Sequence, residues 1–302
     1  MKTMNRKFTT RLLAALLTAS ATLGISAHAE AQEILLTGPL AGAPAVRKLR
    51  LHRQGRFEIS PTVTFTLLDE YQRTILLGAK IGYNFTDWLQ LGAWGAYGGL
   101  IQITTSLAEQ IQEQNAIRVD AARLPNGDPT YQTPEAIERR LTTVNLGPEF
   151  EDQLGSMEWV VAPQLTAIPF RGKLAIFQSI YLDTDLYIFA GPAFVGLNER
   201  AECTENCASN NEDPFPMTSR TAIAPTFGLG FSFYINEWAA LGFEWRGLPF
   251  SWNTGGFDTA GTGKDEAFPD NRITDADQRF HFNQMLSVSF NINLPAKTRI
   301  SE

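Results

Sequence analysis

The chain has 302 residues, with 25 Lys and Arg against 32 Asp and Glu, a formal charge of −7, two cysteines and three histidines. The acidic balance argues against nucleic acid as a partner. Beyond the N-terminus no stretch reaches the roughly 18 consecutive apolar residues of a membrane helix, so a helical membrane protein is excluded.

Residues 1–29 read as a signal peptide. Lys2, Arg6, Lys7 and Arg11 make a positive start, Leu12 to Ile25 is a short apolar run, and Ala27-His28-Ala29 fits a small-x-small cleavage site. Cleavage near Ala29 removes four basic residues and no acid. The remainder then carries 21 basic against 32 acidic residues, net −11. Residues 30–54 form an irregular periplasmic linker, broken by Gly38-Pro39, Gly42 and Pro44. It ends in a basic cluster, Arg47, Lys48, Arg50, His52, Arg53 and Arg56. Charge runs of this kind are usually solvated. Contact with acidic headgroups or a periplasmic partner is the alternative.

From residue 55 the chain alternates. Phe57, Ile59, Val63, Phe65 and Leu67 interleave with Glu58, Ser60, Thr62, Thr64 and Thr66. A period of two marks a strand with unlike faces. Eight strands are predicted, at about 56–68, 73–85, 88–104, 156–169, 184–197, 220–235, 238–250 and 279–294. Most exceed the 9–11 residues that span a bilayer when tilted. The connections alternate in length. Residues 105–155, 198–219 and 251–278 are long, whereas Thr86-Asp87, about 170–183, and Asn236-Glu237 lie at the other end. Long loops outside and short turns in the periplasm are the pattern of an eight-stranded antiparallel transmembrane β-barrel, here over 55–295 with a tail at 296–302. The region 105–155 is expected to form an external cap with short helices at about Leu107–Arg118 and Glu135–Leu141.

Bulky apolar residues suit lipid contact, while small polar residues suit a narrow interior. Glu58, Lys80, Glu244 and Arg246 are therefore predicted to point into the lumen as a charge network, since buried charges are costly unless paired. Two turns echo one another, Tyr83-Asn84-Phe85-Thr86-Asp87-Trp88 and Tyr234-Ile235-Asn236-Glu237-Trp238. Tyr83, Phe85, Trp88, Tyr234 and Trp238 are predicted as interface aromatics at the membrane surface. Cys203 and Cys207 are expected to form a local disulfide, given an exported chain with an even count.

Chemistry is sparse. Catalysis in a barrel wall needs an activated nucleophile with His or paired carboxylates. After the signal only His52 and His281 remain, with Asp275 and Asp277 near the second. No phosphate-binding Gly-rich loop followed by Lys and Ser/Thr occurs, and the acidic run 265–277 lacks calcium-loop spacing. No catalytic residue, cofactor or metal is expected.

Three stretches carry a resemblance. They are Arg53-Gln54-Gly55-Arg56-Phe57-Glu58, the hairpin from Leu68-Asp69-Glu70-Tyr71 to Tyr83-Asn84-Phe85-Thr86-Asp87, and Gly172-Lys173-Leu174 followed by Asp185-Leu186-Tyr187 and Ala190-Gly191. With a final strand ending at Leu294-Pro295, the chain resembles the outer-membrane β-barrel domain family of myxobacteria and related Gram-negative bacteria. It departs from that family in carrying Asn84 where a His is usual. The resemblance implies an integral protein of the cell envelope, with outer-membrane lipid, the barrel-assembly machinery and an unidentified surface or periplasmic protein as partners. The expected role is structural or surface interaction. A small-solute channel and an outer-membrane hydrolase using His281 are the alternatives, and a periplasmic ligand-binding barrel with its apolar face inward is a third.

Overall fold

The structure is a computed structural model. It describes residues 53–123, 150–176, 180–201, 216–261, 263, 266, 268 and 272–296. The signal segment, His52, residues 135–141, Cys203 and Cys207 lie outside the described residues, and with them the expectations placed there.

Eight strands close into one antiparallel ring: β1 Phe57–Leu67, β2 Gln72–Asn84, β3 Leu89–Thr104, β4 Ser156–Ile176, β5 Ile180–Arg200, β6 Met217–Tyr234, β7 Ala239–Trp252 and β8 Arg279–Leu294. Closure runs between β1 and β8, from Phe57 opposite Leu294 to Leu67 opposite Gln284. Closing the ring pairs the two would-be edge strands, β1 and β8, with each other.

Alternation sets what each face meets. On β1 every second residue is buried, from Glu58 through Thr66, while Phe57, Ile59, Val63 and Phe65 are exposed. On β6 Ile223, Phe227, Leu229 and Phe231 are outside, and on β8 Leu286, Val288 and Phe290. The outward face is an apolar belt, the reverse of a water-soluble barrel. No described helix is long and apolar enough to cross a membrane.

The short turns share one chemistry. The Thr86 hydroxyl accepts from the Trp88 and Leu89 amides, and the Asn236 side chain accepts from the Trp238 and Ala239 amides. A short polar side chain thus replaces the backbone partners that a reversal removes.

The third connection at this end departs from the expected loop at 170–183. β4 and β5 run on to Ile176 and Ile180 as a two-stranded ribbon. Their neighbours stop earlier, β3 at Leu89 opposite Ala167 and β6 at Tyr234 opposite Asp183. An irregularity between Ala167 and Phe170 lies at the base of the ribbon, where a bulge would let the strand bend away.

The long-loop end is a folded cap. Helix α1, Ser106–Arg123, starts at Thr105, whose hydroxyl accepts from the Ala108 amide. Ala108, Phe150 and Leu154 are buried with Tyr71, Ile111 and Phe257 packed on them. This small core joins α1 to residues 150–155, to the β1–β2 turn and to the chain leaving β7. Polar bonds hold the last segment down. The Gly155 amide donates to Thr254 O at 3.0 Å, Arg200 Nη1 to Gly256 O at 3.0 Å, and the Asn253 amide to Glu199 Oε2 at 2.9 Å.

Candidate functional site

The lumen is filled by side chains and divides into two unlike halves. Toward the short turns it is charged. The structure brings Glu58, Lys80, Glu244 and Arg246 together. Lys80 Nζ lies 3.3 Å from Glu58 Oε1 and 3.9 Å from Glu244 Oε2, and Arg246 Nη2 donates to Glu244 Oε1 at 2.7 Å. Neutral groups take up further positions. Gln90 Nε2 donates to Glu58, the Tyr187 hydroxyl to Glu244, and Arg246 to Gln164 Oε1 and Thr226 Oγ1. The Arg246 guanidinium is sandwiched, 4.4 Å from the Trp94 ring and 4.3 Å from the Phe189 ring. A weakly hydrated planar cation suits such a slot, where an ammonium would not.

The sequence pattern missed other residues at this end of the lumen. Arg53, at the end of the basic lead-in, is buried inside the mouth of the ring. Its Nε donates to the Tyr234 hydroxyl at 2.6 Å and lies 3.1 Å from Asp185 Oδ2, with Nη2 3.5 Å from Glu58 Oε2. Asp87, in the first short turn, holds the entering backbone by accepting from the Arg53 and Gln54 amides. Arg56 is also buried, donating to Glu237 O and Asn293 O. These two arginines therefore close the mouth of the barrel and are not part of a solvated run. Their partners, carboxylates for Arg53 and backbone carbonyls for Arg56, come mostly from distant segments and were invisible in the lead-in itself.

Tyr234 needs the matching correction. It was expected with the interface aromatics, but it lies on the inward face beside Ser232 and is buried against Arg53. The odd-numbered positions of β6 face outward, so the parity of the strand overrides its place near the turn. Phe85, Trp88 and Trp238 are exposed at this end, with Tyr83 half-buried against Phe57 and Phe85.

The other half of the lumen is apolar, which the expectation of a small polar interior did not anticipate. Leu76, Trp94, Met157, Val160, Val195, Leu197, Leu248, Phe250, Trp252 and Met285 form one buried cluster with five alanines from β3 to β6. Arg246 and Trp94 lie at the boundary, and the Trp94 indole donates to Thr62 Oγ1 at 3.2 Å.

At the loop end a small open cleft of about 50 Å³ lies between the β1–β2 turn and β8, lined by Glu70, Tyr71, Trp252 and His281 among others. His281 meets the Trp252 ring edge-on at 6.3 Å. The two nearby acids are engaged elsewhere. Asp277 accepts from the Thr274 and Thr259 amides, and Asp275 accepts from Gln278 Nε2. Both serve the fold of the β7–β8 loop. Among the described residues no group of three or more His, Cys, Asp or Glu could hold a metal ion. In the β1–β2 turn, burial pushes the Asp69 carboxyl up to about 6, against the opposing pull of the Thr66 hydrogen bond and the Arg73 charge.

No family model matches the chain. No curated protein matches it either. Similar solved structures include the N-terminal β-barrel domain of Pseudomonas aeruginosa OprF, with a TM-score of 0.38 and 11% identity over 80% of this chain and 98% of that one. P. aeruginosa outer membrane protein OprG gives 0.38 and 12%, over 80% and 97%. Neisserial surface protein A gives 0.30 and 9%, over 79% and 93%. Likeness at this level carries no argument about function, and the eight-stranded ring rests on its own strand pairing.

Proposed function

We propose that this is an integral outer-membrane β-barrel protein of a Gram-negative envelope, with a structural or surface-interaction role. The observation that carries the reading is the combination of an apolar outward belt with a closed, filled lumen. In water such a belt would be an association hazard, whereas in a bilayer it is the required surface. The short turns then face the periplasm, the cap faces outside, and the cap is the contact surface. Membership of the outer-membrane β-barrel domain family seen in myxobacteria is part of this proposal, as are export by a cleaved signal and insertion by the barrel-assembly machinery.

A solute channel is disfavoured by Arg53 and Arg246 across the lumen and by the apolar cluster beyond them. A hydrolase centred on His281 is disfavoured because Asp275 and Asp277 are committed to the loop. The test is membrane fractionation followed by gel mobility with and without boiling. Recovery in the outer membrane with a heat-modifiable shift is the expected result. A soluble periplasmic protein would overturn it.

A further inference from the structure

The wall of the barrel is not equally closed all round. Four adjacent strands carry a proline in one row: Pro163 on β4, Pro192 on β5, Pro225 on β6 and Pro249 on β7. Pro192 stands opposite Pro225. Continuing the neighbouring registers sets Pro163 opposite Pro192 and Pro225 opposite Pro249. Proline lacks the N–H that a ladder needs, so a facing pair whose N–H positions point at each other loses a rung; β5 and β6 stay paired through Pro192 and Pro225. Between β4 and β5 the ladder resumes beyond the prolines, from Val161 opposite Phe194 to Ser156 opposite Asn198. Between β6 and β7 it does not resume. Pairing ends at Phe227 opposite Gly247. Both strands nevertheless continue outward, β6 paired to β5 as far as Met217 and β7 paired to β8 as far as Trp252.

The result is a gap of five residues on each side, 222–226 facing 248–252, or about 17 Å of wall at ~3.3 Å per residue. Side chains span it in place of backbone. The Thr226 hydroxyl donates to Gly247 O at 3.4 Å, and Arg220 Nη2 donates to Ser251 O at 3.0 Å while its Nε pairs with Glu199. At its foot, on the outward face, the rings of Phe227, Trp245 and Phe282 cluster at 6.0 to 6.3 Å. Behind it, on the inward face, are Ala222, Ala224, Leu248, Phe250 and Trp252, all in the apolar half of the lumen. The gap therefore joins an apolar exterior to an apolar interior, and it misses the charged half below.

We infer that the β6–β7 seam is a lateral entry for a single acyl chain from the outer leaflet, with the apolar half of the lumen as its binding site. The tail enters over Ala222 and Ala224, whose small side chains leave the least to displace. The polar head stays at the mouth of the seam, beside the Arg220–Glu199 pair. The buried cluster is packed, so entry requires β6 and β7 to part by about one strand spacing, ~5 Å. Few backbone rungs oppose that motion here, whereas an unbroken ladder would oppose it with one bond per residue. This inference rests on the membrane reading above. Fractionation tests that reading independently, so an outer-membrane protein that takes up no acyl chain would fail only the present one.

The experiment uses 9,10-dibromostearate, whose bromines quench indole fluorescence on contact. Trp88, Trp159, Trp238 and Trp245 are replaced by Phe in the folded, detergent-extracted protein, which leaves Trp94 and Trp252, both buried. Saturable quenching of this pair is expected. The Pro225→Val/Pro249→Val variant, which restores two donors to the seam, should weaken the apparent affinity at least tenfold. A disulfide across the gap, Ile223→Cys/Ser251→Cys in a Cys203→Ser/Cys207→Ser background, should abolish quenching until it is reduced. Should the fourfold Trp variant not fold, wild type against Trp252→Phe gives the same reading by difference. Absence of saturable quenching, or quenching indifferent to both seam closures, would overturn the inference.

Discussion

The two halves of the lumen solve the same packing problem with opposite chemistry. In the half near the short turns, Arg53, Lys80 and Arg246 meet Glu58, Asp185 and Glu244 from four different strands and the lead-in. In the half below the cap, side chains from Leu76 to Met285 pack with no charge among them. The charged half is directional, because each group has a designated partner and loses more than its own bond when that partner goes. The apolar half is volumetric, and its strength follows how well space is filled. The same division explains where the wall can afford an incomplete ladder. A seam beside the charged half would admit lipid to unscreened ions, but beside the apolar half it exposes only carbon.

The largest effect should come from breaking the charged half at one partner. Arg246→Ala leaves Glu244 with Lys80 at 3.9 Å and the Tyr187 hydroxyl, and empties the slot between Trp94 and Phe189. A loss of about 3–5 kcal/mol is expected, measured by urea unfolding of the protein in lipid vesicles. Replacing both partners, Arg246→Met with Glu244→Gln, should cost less than the single change. A double variant worse than Arg246→Ala would erase the distinction between the halves.

Next is a cavity in the apolar half. Leu248→Ala should cost about 2–4 kcal/mol, and the volume-conserving Leu248→Met less than about 1.5 kcal/mol. Equal losses from the two would show that the site is not governed by volume. Tyr234→Phe is smaller, about 1 kcal/mol, because Arg53 keeps Asp185 and Glu58 when the hydroxyl is gone. Its sharper readout is trypsin cleavage after Arg53, which should accelerate in the variant if the lead-in is held at the mouth by this contact.

The smallest effect lies outside both halves and depends on pH. The Asp69 carboxyl is raised from 3.8 to about 6 in the fold, chiefly by burial. A folded-state value above the unfolded one means that the folded form binds the extra proton. The favourable contribution is therefore full below about pH 4 and is lost as pH rises toward 6. Asp69→Asn should flatten the pH dependence of the unfolding midpoint between 4 and 6. An unchanged profile would remove Asp69 as its source.

Much of this was legible in the chain. Alternation placed most of the eight strands, because a period of two is imposed by the pleat itself, whereas Leu186 to Val195 of β5 is apolar on both faces and is poorly phased by its sequence. The short turns at 86–87 and 236–237 were legible for the same kind of local reason, since Thr86 and Asn236 supply their own acceptors. Other features were not. The β4–β5 ribbon was read as a loop, because pairing beyond Ala167 requires only each other and leaves no periodic trace. Tyr234 was assigned by proximity to a turn, although parity along β6 places it inside. Arg53 was read from its charged neighbours in sequence, while its partners Asp185 and Tyr234 lie more than 130 residues away.

By itself the sequence determined the strand number, the alternation of long and short connections, and which residues share a face. Those follow from backbone geometry and nearest-neighbour chemistry, which act over a few residues. Tertiary structure decided the rest. It divided the lumen into a charged and an apolar half, drew two arginines of the lead-in into the mouth, and left β6 and β7 unpaired above Gly247. Each of these depends on which strands become neighbours and at what register, and closure of the ring fixes that only once all eight are in place.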